Sequence, residues 1–250
     1  MKNPKFFALI IGTEILNRRR VDSHFDFVSK ELAKYGNTLF GSFVITDEPK
    51  LIISTIKYIA SIEDSVIFSF GGIGSTPDDY TRQCVADAFG EKLETHQECQ
   101  ELIKIRMVED NKISNYALEM AQLPPNSELL VKEYIGGIPA FHLQKRFFFM
   151  PGFPHMSHPI IEDIQKEFFS KQIKNYRYTF TASCKESLFI ETMRNMPKKV
   201  DVSSLPTNTS NGWQTTISVV SRDPKLALES FELYIDILKK DNIEYFIDEV

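Results

Sequence analysis

The stretch SFGGIGSTPDDYTR, residues 69–82, lies between a strand-like run and a helix-like run and sets the interpretation of this chain. Gly71, Gly72 and Gly74 fall within four positions and are followed by a Ser, a Thr and two adjacent Asp residues. Glycine permits positive φ angles and lets backbone N–H groups approach a ligand closely. A loop of this kind at a helix N-terminus favours anions, so it predicts a phosphate or carboxylate site, with a plain tight turn as the alternative.

Outward from this loop, strand and helix patterns alternate. Strand-like apolar runs occupy residues 6–11, 38–45 and 65–70, and helical patterns lie between them and after the loop. Such alternation predicts a mostly parallel sheet with helices on both faces, an α-β-α three-layer domain. Ligands of these sheets bind beyond the carboxyl ends of the strands. The GTE turn at residues 12–14 and the glycine loop should therefore open on the same edge of the sheet.

The second half of the chain has a different order of predicted strands and helices. The run FFFM, residues 147–150, is apolar enough for a central strand, a turn is expected at Gly136–Gly137, and Pro159–Ser170 is expected to be helical. From about residue 172 the order becomes β-α-β-β-α-β, which is that of a small ferredoxin-like α+β domain. We therefore expect a first domain over 1–171 and a second over 172–250.

Composition narrows the class of protein. The 250 residues carry a formal net charge of −5, with 42% hydrophobic and 25% charged residues, as in ordinary globular proteins. An acidic balance disfavours a nucleic-acid partner. The three cysteines are widely spaced and odd in number, which favours a reducing, cytoplasmic compartment over a disulfide framework. The apolar run near the N-terminus is too short for a membrane span, so no membrane partner is expected.

The adjacent carboxylates Asp78 and Asp79 would repel an anion that is bound by the glycine loop, so their position needs an explanation. A divalent cation that bridges them to the ligand would remove the repulsion, since Mg²⁺ typically takes one or two carboxylates together with substrate phosphates. The alternative is that they cap the helix that follows. Ser75 and Thr76 add hydroxyl groups that can donate to phosphate oxygens.

These residues resemble a known family. GGIGSTPDDYTR is similar to the GG-x-G-x-T-x-x-D-x-T loop of the MoaB/Mog-type molybdopterin-binding fold, and the surrounding sequence is closer to competence/damage-inducible protein A (CinA) and to the N-terminal domain of eukaryotic FAD synthases. The matching segments run in order from residue 6 to about 160: GTEIL for GDEIL, VDSHF for VDTN, VADAFGEKLETH for AVAxAFGxxLxxH, NYALEMAQLPPNSELL for NxRQAxxPxGAxxL, GGIPAF for GTAPGF, and FFFMPGFPHM for VxxLPGVPxEM.

The resemblance implies a metal-dependent pyrophosphatase that hydrolyses a nucleotide diphosphate such as ADP-ribose or FAD with Mg²⁺, Mn²⁺ or Co²⁺. Asp79 would be catalytic and a metal ligand, Asp78 second in rank, and Glu14 a metal ligand or the group that orients water. The expected phosphate-binding residues are Gly71, Gly72, Gly74, Ser75, Thr76 and Arg82. Arg82 could instead pair with a neighbouring carboxylate. Asp22 could meet a ribose hydroxyl or, as we favour, cap its helix.

Two alternatives to hydrolysis stay open. The same loop could hold molybdopterin or another pterin phosphate, with or without adenylyl transfer. Thr13 stands where the resembled sequences have the Asp of GDE, and this loss of a carboxylate favours a third alternative, a non-catalytic scaffold. Nothing in the chain resembles the nicotinamide mononucleotide deamidase domain of longer CinA proteins, so we expect no such activity. A homodimer is the expected assembly.

The remaining polar residues carry less weight. The run NRRR, residues 17–20, could steer an anion but is more typical of a solvated loop. His155 and His158 lie three apart between Pro154 and Pro159, which predicts a loop without the spacing of a metal site.

Overall fold

The computed structural model describes residues 4–109, 115–130, 139–171, 173–210 and 212–248. The chain divides into two compact units, residues 1–172 and 173–250. Within the described ranges, no helix is both long and apolar enough to cross a bilayer. The turn predicted at Gly136–Gly137 lies outside the described residues.

The first unit alternates strands and helices up to the glycine loop and beyond it. Its first half contains β1 (Lys5–Ile11), α1 (Thr13–Leu16), α2 (His24–Lys34), β2 (Leu39–Ile45), α3 (Pro49–Ala60), β3 (Ser65–Phe70) and α4 (Thr81–Phe89). Its second half contains β4 (Glu94–Thr95), α5 (Gln97–Glu109), α6 (Asn115–Glu119), β5 (Gln122–Leu123), β6 (Glu128–Leu129), β7 (Phe141–Leu143), β8 (Phe147–Met150) and α7 (Pro154–Phe168).

The predicted mostly parallel sheet is confirmed. In the described residues its strand order is β2-β1-β3-β8-β7-β6. The strands β2, β1, β3 and β8 are mutually parallel, while β7 and β6 close the far edge in antiparallel fashion. The run FFFM is therefore an interior strand, as its apolar composition predicts. Parallel β1, β3 and β8 end at one edge, which positions the loops that follow them side by side.

The alternation of side chains along β1 builds the layers. Phe7, Leu9 and Ile11 pack with buried residues of α3, α4 and α5 on one face of the sheet. Phe6 and Ile10 pack with α2 and α7 on the other face. Because successive strand residues point to opposite faces, a strand buried on both sides reads as a continuous apolar run. The α-β-α architecture follows from this pattern.

The loop predicted around His155 and His158 is wrong, because α7 begins at Pro154 and includes both histidines. Pro154 occupies the first turn, where a missing N–H costs nothing. Pro159 lies inside the helix, one turn later. The two prolines that favoured a loop are therefore both accommodated near the helix N-terminus, and the helix is longer than the predicted Pro159–Ser170 at its start.

The second unit has the predicted β-α-β-β-α-β order. Its elements are β9 (Tyr176–Ala182), a 3₁₀ helix (Glu186–Phe189) continued by α8 (Ile190–Arg194), β10 (Asp201–Thr209), β11 (Gly212–Ser221), α9 (Pro224–Lys240) and β12 (Tyr245–Ile247). The sheet order β10-β11-β9-β12 is antiparallel throughout, as in a ferredoxin-like unit. Pro206 lies within β10, where an edge strand tolerates its missing N–H.

Candidate functional site

A cleft of about 500 Å³ opens at the carboxyl ends of β1, β3 and β8. The loops after these three strands line it, so the GTE turn and the glycine loop do meet. Of the residues predicted for the site, those that line the cleft are Glu14, Gly71, Gly72, Gly74, Ser75, Thr76, Asp78 and Asp79. Asp22 and Arg82 do not line it.

Glycine is required at the start of the loop after β3. Gly71 and Gly72 have φ angles of 99° and 69°, a region that side chains disfavour. A Cβ on Gly71 would overlap the backbone oxygen of Ile11, and one on Gly72 would overlap Thr81 Oγ1. Thr81 secures the loop from the first turn of α4: its N–H donates to the Gly72 carbonyl and its hydroxyl to the Gly71 carbonyl, both at 2.9 Å.

The middle of the loop leaves backbone donors unused. Gly71 N–H donates to the Met150 carbonyl at 3.0 Å, and Thr76 N–H donates to Asp79. Between them, the N–H groups of residues 72–75 have no hydrogen-bond partner within the described part of the chain. All four of these residues line the cleft. A run of unpaired N–H groups in a loop that leads into a helix is an anion-binding arrangement.

Asp79 shapes this loop from within. Its Oδ2 accepts the Thr76 N–H at 2.8 Å and the Thr76 hydroxyl at 2.6 Å. A Cβ on Gly74 would lie 2.6 Å from the same oxygen, so the loop closes tightly around the carboxylate. The neighbouring Asp78 is exposed, and hydrogen bonding with the Thr76 side chain lowers its pKa. Asp78 is thus negatively charged at the cleft near neutral pH.

Two more carboxylates line the cleft, Glu14 after β1 and Asp47 after β2. The Glu14 side chain folds over Gly12, where a Cβ would lie 2.9 Å from each carboxylate oxygen. Thr13 donates its N–H and its hydroxyl to Asp47 Oδ2, both at 2.8 Å. Asp47 lines the cleft, so the acid missing at position 13 is replaced at the end of the adjacent β2. Asp47 does not cap α3, because the N-cap of that helix is Glu48.

Two predicted ligand residues have structural roles instead. Asp22 accepts the N–H groups of His24 and Phe25, each at 3.0 Å, which fulfils the favoured capping role at α2. Arg82 is buried, and its Nη1 donates to the Glu119 carbonyl. Among the described residues no carboxylate accepts a hydrogen bond from Arg82, but the charges of Asp79 and Glu119 act on its guanidinium. Arg82 is the second residue of α4 and one of its buried residues.

The loop after β8 supplies cleft residues that sequence reasoning missed. Pro151, Gly152 and Phe153 line the cleft, and a Cβ on Gly152 would lie 3.3 Å from Gly71 Cα. Arg20 also lines the cleft and places its guanidinium 5.4 Å from the centre of the Phe153 ring. The run NRRR, residues 17–20, indicated a possible anion contact. Nothing in the sequence distinguishes Arg20 from its two exposed neighbours, Arg18 and Arg19.

His24 anchors the loop after β8 to α2. Its ring is 4% exposed, stacks on Phe70 at 4.2 Å between centroids, and its Nε2 lies 3.2 Å from the Gly152 carbonyl. A carbonyl only accepts, so Nε2 carries the hydrogen. Nδ1 is buried and has no partner among the described residues. The ring of His158 lies 5.3 Å away.

This arrangement predicts a pH dependence of stability. Burial is the main cause that lowers the pKa of His24, opposed by Asp22 and reinforced by His158 and Arg20. The folded state therefore binds fewer protons than the unfolded chain below about pH 6.5. The stabilising contribution of neutral His24 is complete above that pH and is lost as the pH falls through the lower, folded-state value. The same sign holds for His142 and His158.

The check is urea unfolding of wild type and His24→Asn between pH 7.5 and 5. The free energy of unfolding of the wild type should fall with pH, and that of the variant should fall less steeply. His155→Asn is the matched control because His155 is an exposed histidine of the neighbouring α7. Equal slopes for all three proteins would contradict the assignment.

Comparison with known proteins fits this geometry. A family model described as "Probable molybdopterin binding domain" matches residues 7–171. A CinA-like protein of Flavobacterium psychrophilum is 29% identical over 220 residues, which cover 81% of this chain and 51% of that protein. A CinA-like protein of Syntrophotalea carbinolica is 32% identical over 149 residues, 58% of this chain and 36% of that protein. The chain thus spans about half or less of these relatives.

Among solved structures, the protein CinA from Thermoplasma acidophilum, described as having unknown function, superposes with a TM-score of 0.59. It shares 22% sequence identity, and the match covers 67% of this chain and 99% of that one. At this identity the likeness concerns the fold. Because the matched family model covers nearly the whole first unit, the chain belongs to the probable molybdopterin binding domain family.

Proposed function

We propose that the cleft binds a phosphorylated pterin of the molybdopterin type. The observation that carries this proposal is the run of unpaired N–H groups at residues 72–75, which line a concave site at the start of α4. Family membership supports the pterin, and the loop geometry supports the phosphate. Arg20 is the only Lys or Arg among the described residues that line the cleft, so it is the side-chain cation available to the phosphate.

The proposal is tested by titrating a fluorescent pterin monophosphate into the protein without added metal. Arg20→Ala should weaken binding about tenfold, because a hydrogen bond to a charged group contributes about 1.5 kcal/mol or more. Arg19→Ala is the matched control: Arg19 is exposed, bonds Asn17 and lies outside the cleft. We expect Arg19→Ala to bind like the wild type. Saturation that no cleft substitution changes, or no binding at all, would overturn the proposal.

A second candidate function is metal-dependent hydrolysis of a nucleotide diphosphate such as ADP-ribose or FAD. The observation that favours it is the set of carboxylates that line the cleft: Glu14, Asp47, Asp78 and Asp79. Within the described ranges, no group of three or more His, Cys, Asp or Glu residues is placed to hold a metal ion. A Mg²⁺, Mn²⁺ or Co²⁺ ion would therefore rely on one or two of these carboxylates together with ligand phosphates and water, as Mg²⁺ commonly does.

In this second candidate, Asp79 and Glu14 would hold the ion, which would neutralise the diphosphate and stabilise charge on the leaving phosphate. The N–H groups of residues 72–75 would orient the phosphate that remains bound. Release of AMP from ADP-ribose in the presence of each metal is the assay. Pterin binding without any turnover favours the first function, and the absence of both leaves a non-catalytic scaffold.

A further inference from the structure

Phe153 presents an aromatic surface inside the cleft. Its side chain belongs to the loop after β8, lines the cleft and is 47% exposed. Phe70, the other phenylalanine among the described lining residues, is 1% exposed and stacked against His24. Ligand pockets are commonly lined by aromatic side chains, so a half-exposed ring inside a concave site is a candidate contact for a ligand.

The ring lies close to the anion-binding loop. The gap between a Gly152 Cβ and Gly71 Cα would be 3.3 Å, and Phe153 is the next residue along the chain. Consecutive Cα atoms are about 3.8 Å apart, which places the Phe153 backbone within roughly 8 Å of Gly71. That span is comparable with the separation between a phosphate and a ring joined by a short linker.

Two side chains lie against the Phe153 ring. The Arg20 guanidinium lies 5.4 Å from its centroid in a cation–π contact, and the His155 ring lies 5.9 Å away at an angle of 43°. The backbone is also fixed, because the Phe153 carbonyl accepts the N–H groups of Met156 and Ser157 at the start of α7. A held ring with a free surface loses little conformational freedom when a ligand stacks on it.

We propose that Phe153, backed by Arg20, is the stacking platform for the planar heterocycle of the bound ligand. This inference rests on the function proposed above, in which the loop binds the phosphate of the same ligand. The chemistry recognised is an aromatic heterocycle attached to a phosphate, which a pterin phosphate and a nucleotide diphosphate share. Phe153 then determines specificity, since it separates ring-bearing phosphates from sugar phosphates that the loop alone would accept.

The test compares three ligands by isothermal titration calorimetry: a pterin monophosphate, ADP-ribose and ribose 5-phosphate, which lacks the ring. Phe153→Leu keeps apolar volume but removes the aromatic face, and Phe153→Tyr keeps the face. Stacking of a base on an aromatic side chain contributes on the order of tenfold or more in affinity. Phe153→Leu should lose about tenfold for ring-bearing ligands and less than about twofold for ribose 5-phosphate, while Phe153→Tyr should bind like the wild type.

Phe25→Leu is the matched control, because Phe25 is 51% exposed and lies outside the cleft. A loss confined to the pterin, or confined to ADP-ribose, supports the platform and identifies which source supplies the ring. Unchanged affinity of Phe153→Leu for both ring ligands overturns the platform but leaves phosphate binding intact. An equal loss for ribose 5-phosphate also overturns it, since Phe153 would then shape the loop. Failure of the wild type to bind any of the three removes the proposed function itself.

Discussion

Gly71→Ala should destabilise the first unit by about 3 kcal/mol and abolish ligand binding. The expected loss combines backbone strain at a φ of 99° with overlap between the new Cβ and the Ile11 carbonyl oxygen. That oxygen belongs to the central strand β1, so it cannot move aside as a flexible side chain could. Urea unfolding followed by circular dichroism measures the stability, and titration with the pterin monophosphate measures binding.

Gly90→Ala is the control for Gly71→Ala. Gly90 ends α4 with a φ of 73°, but no atom lies within 4 Å of its added Cβ. This variant carries the strain without the overlap, so we expect a loss of about 1 kcal/mol and unchanged binding. Equal destabilisation by the two variants would show that the contact with β1 is not what fixes glycine at position 71.

If the cleft has the second candidate function, Asp79→Asn should reduce metal-dependent release of AMP at least about 100-fold while it preserves metal-free binding of the pterin phosphate. The asparagine carbonyl can still accept the N–H and hydroxyl of Thr76, so the loop keeps its shape. What is lost is the negative charge that would hold the cation, and metal stabilisation of transition-state charge amounts to several kcal/mol. The variant therefore separates the loop-shaping role of Asp79 from a chemical role.

Asp87→Asn is matched to Asp79→Asn because it makes the same change of charge on the exposed surface of α4. We expect it to turn over like the wild type. Full activity of Asp79→Asn would exclude this carboxylate as a required metal ligand. Loss of metal-free pterin binding in the same variant would instead show that the loop had collapsed.

Much of the fold follows from local patterns. The strands at residues 5–11, 39–45 and 65–70 are short and mostly apolar, and a helix between them ends at a clear stop signal, Gly36 after α2. The start of α7 could not be predicted from local patterns, because Pro154 and Pro159, taken alone, indicate a break in a helix. Only the first-turn position of Pro154 and the length of the helix make them tolerable.

The cleft residues that lie in one loop could be predicted from the sequence. Those that come from separate loops could not. The glycine loop indicates an anion site through three glycines and two adjacent aspartates, all within residues 71–79. Arg20, Asp47 and Phe153 reach the cleft only because β1, β2 and β8 are parallel neighbours of β3 or of one another. Strand order is a property of the whole sheet, so no local pattern could assign these three residues. The position of Arg82 outside the cleft could not be predicted for the same reason, since it depends on how α4 packs.

The bond between Thr13 and Asp47 also constrains how this cleft can evolve. Both hydrogen bonds run from position 13 to a single carboxylate oxygen on the neighbouring strand end. An aspartate introduced at position 13, as in the sequences that the GTE turn resembles, would face that carboxylate and meet repulsion. The residues at positions 13 and 47 are therefore coupled. An exchange that avoids repulsion must first remove the carboxylate at position 47 and only then introduce one at position 13.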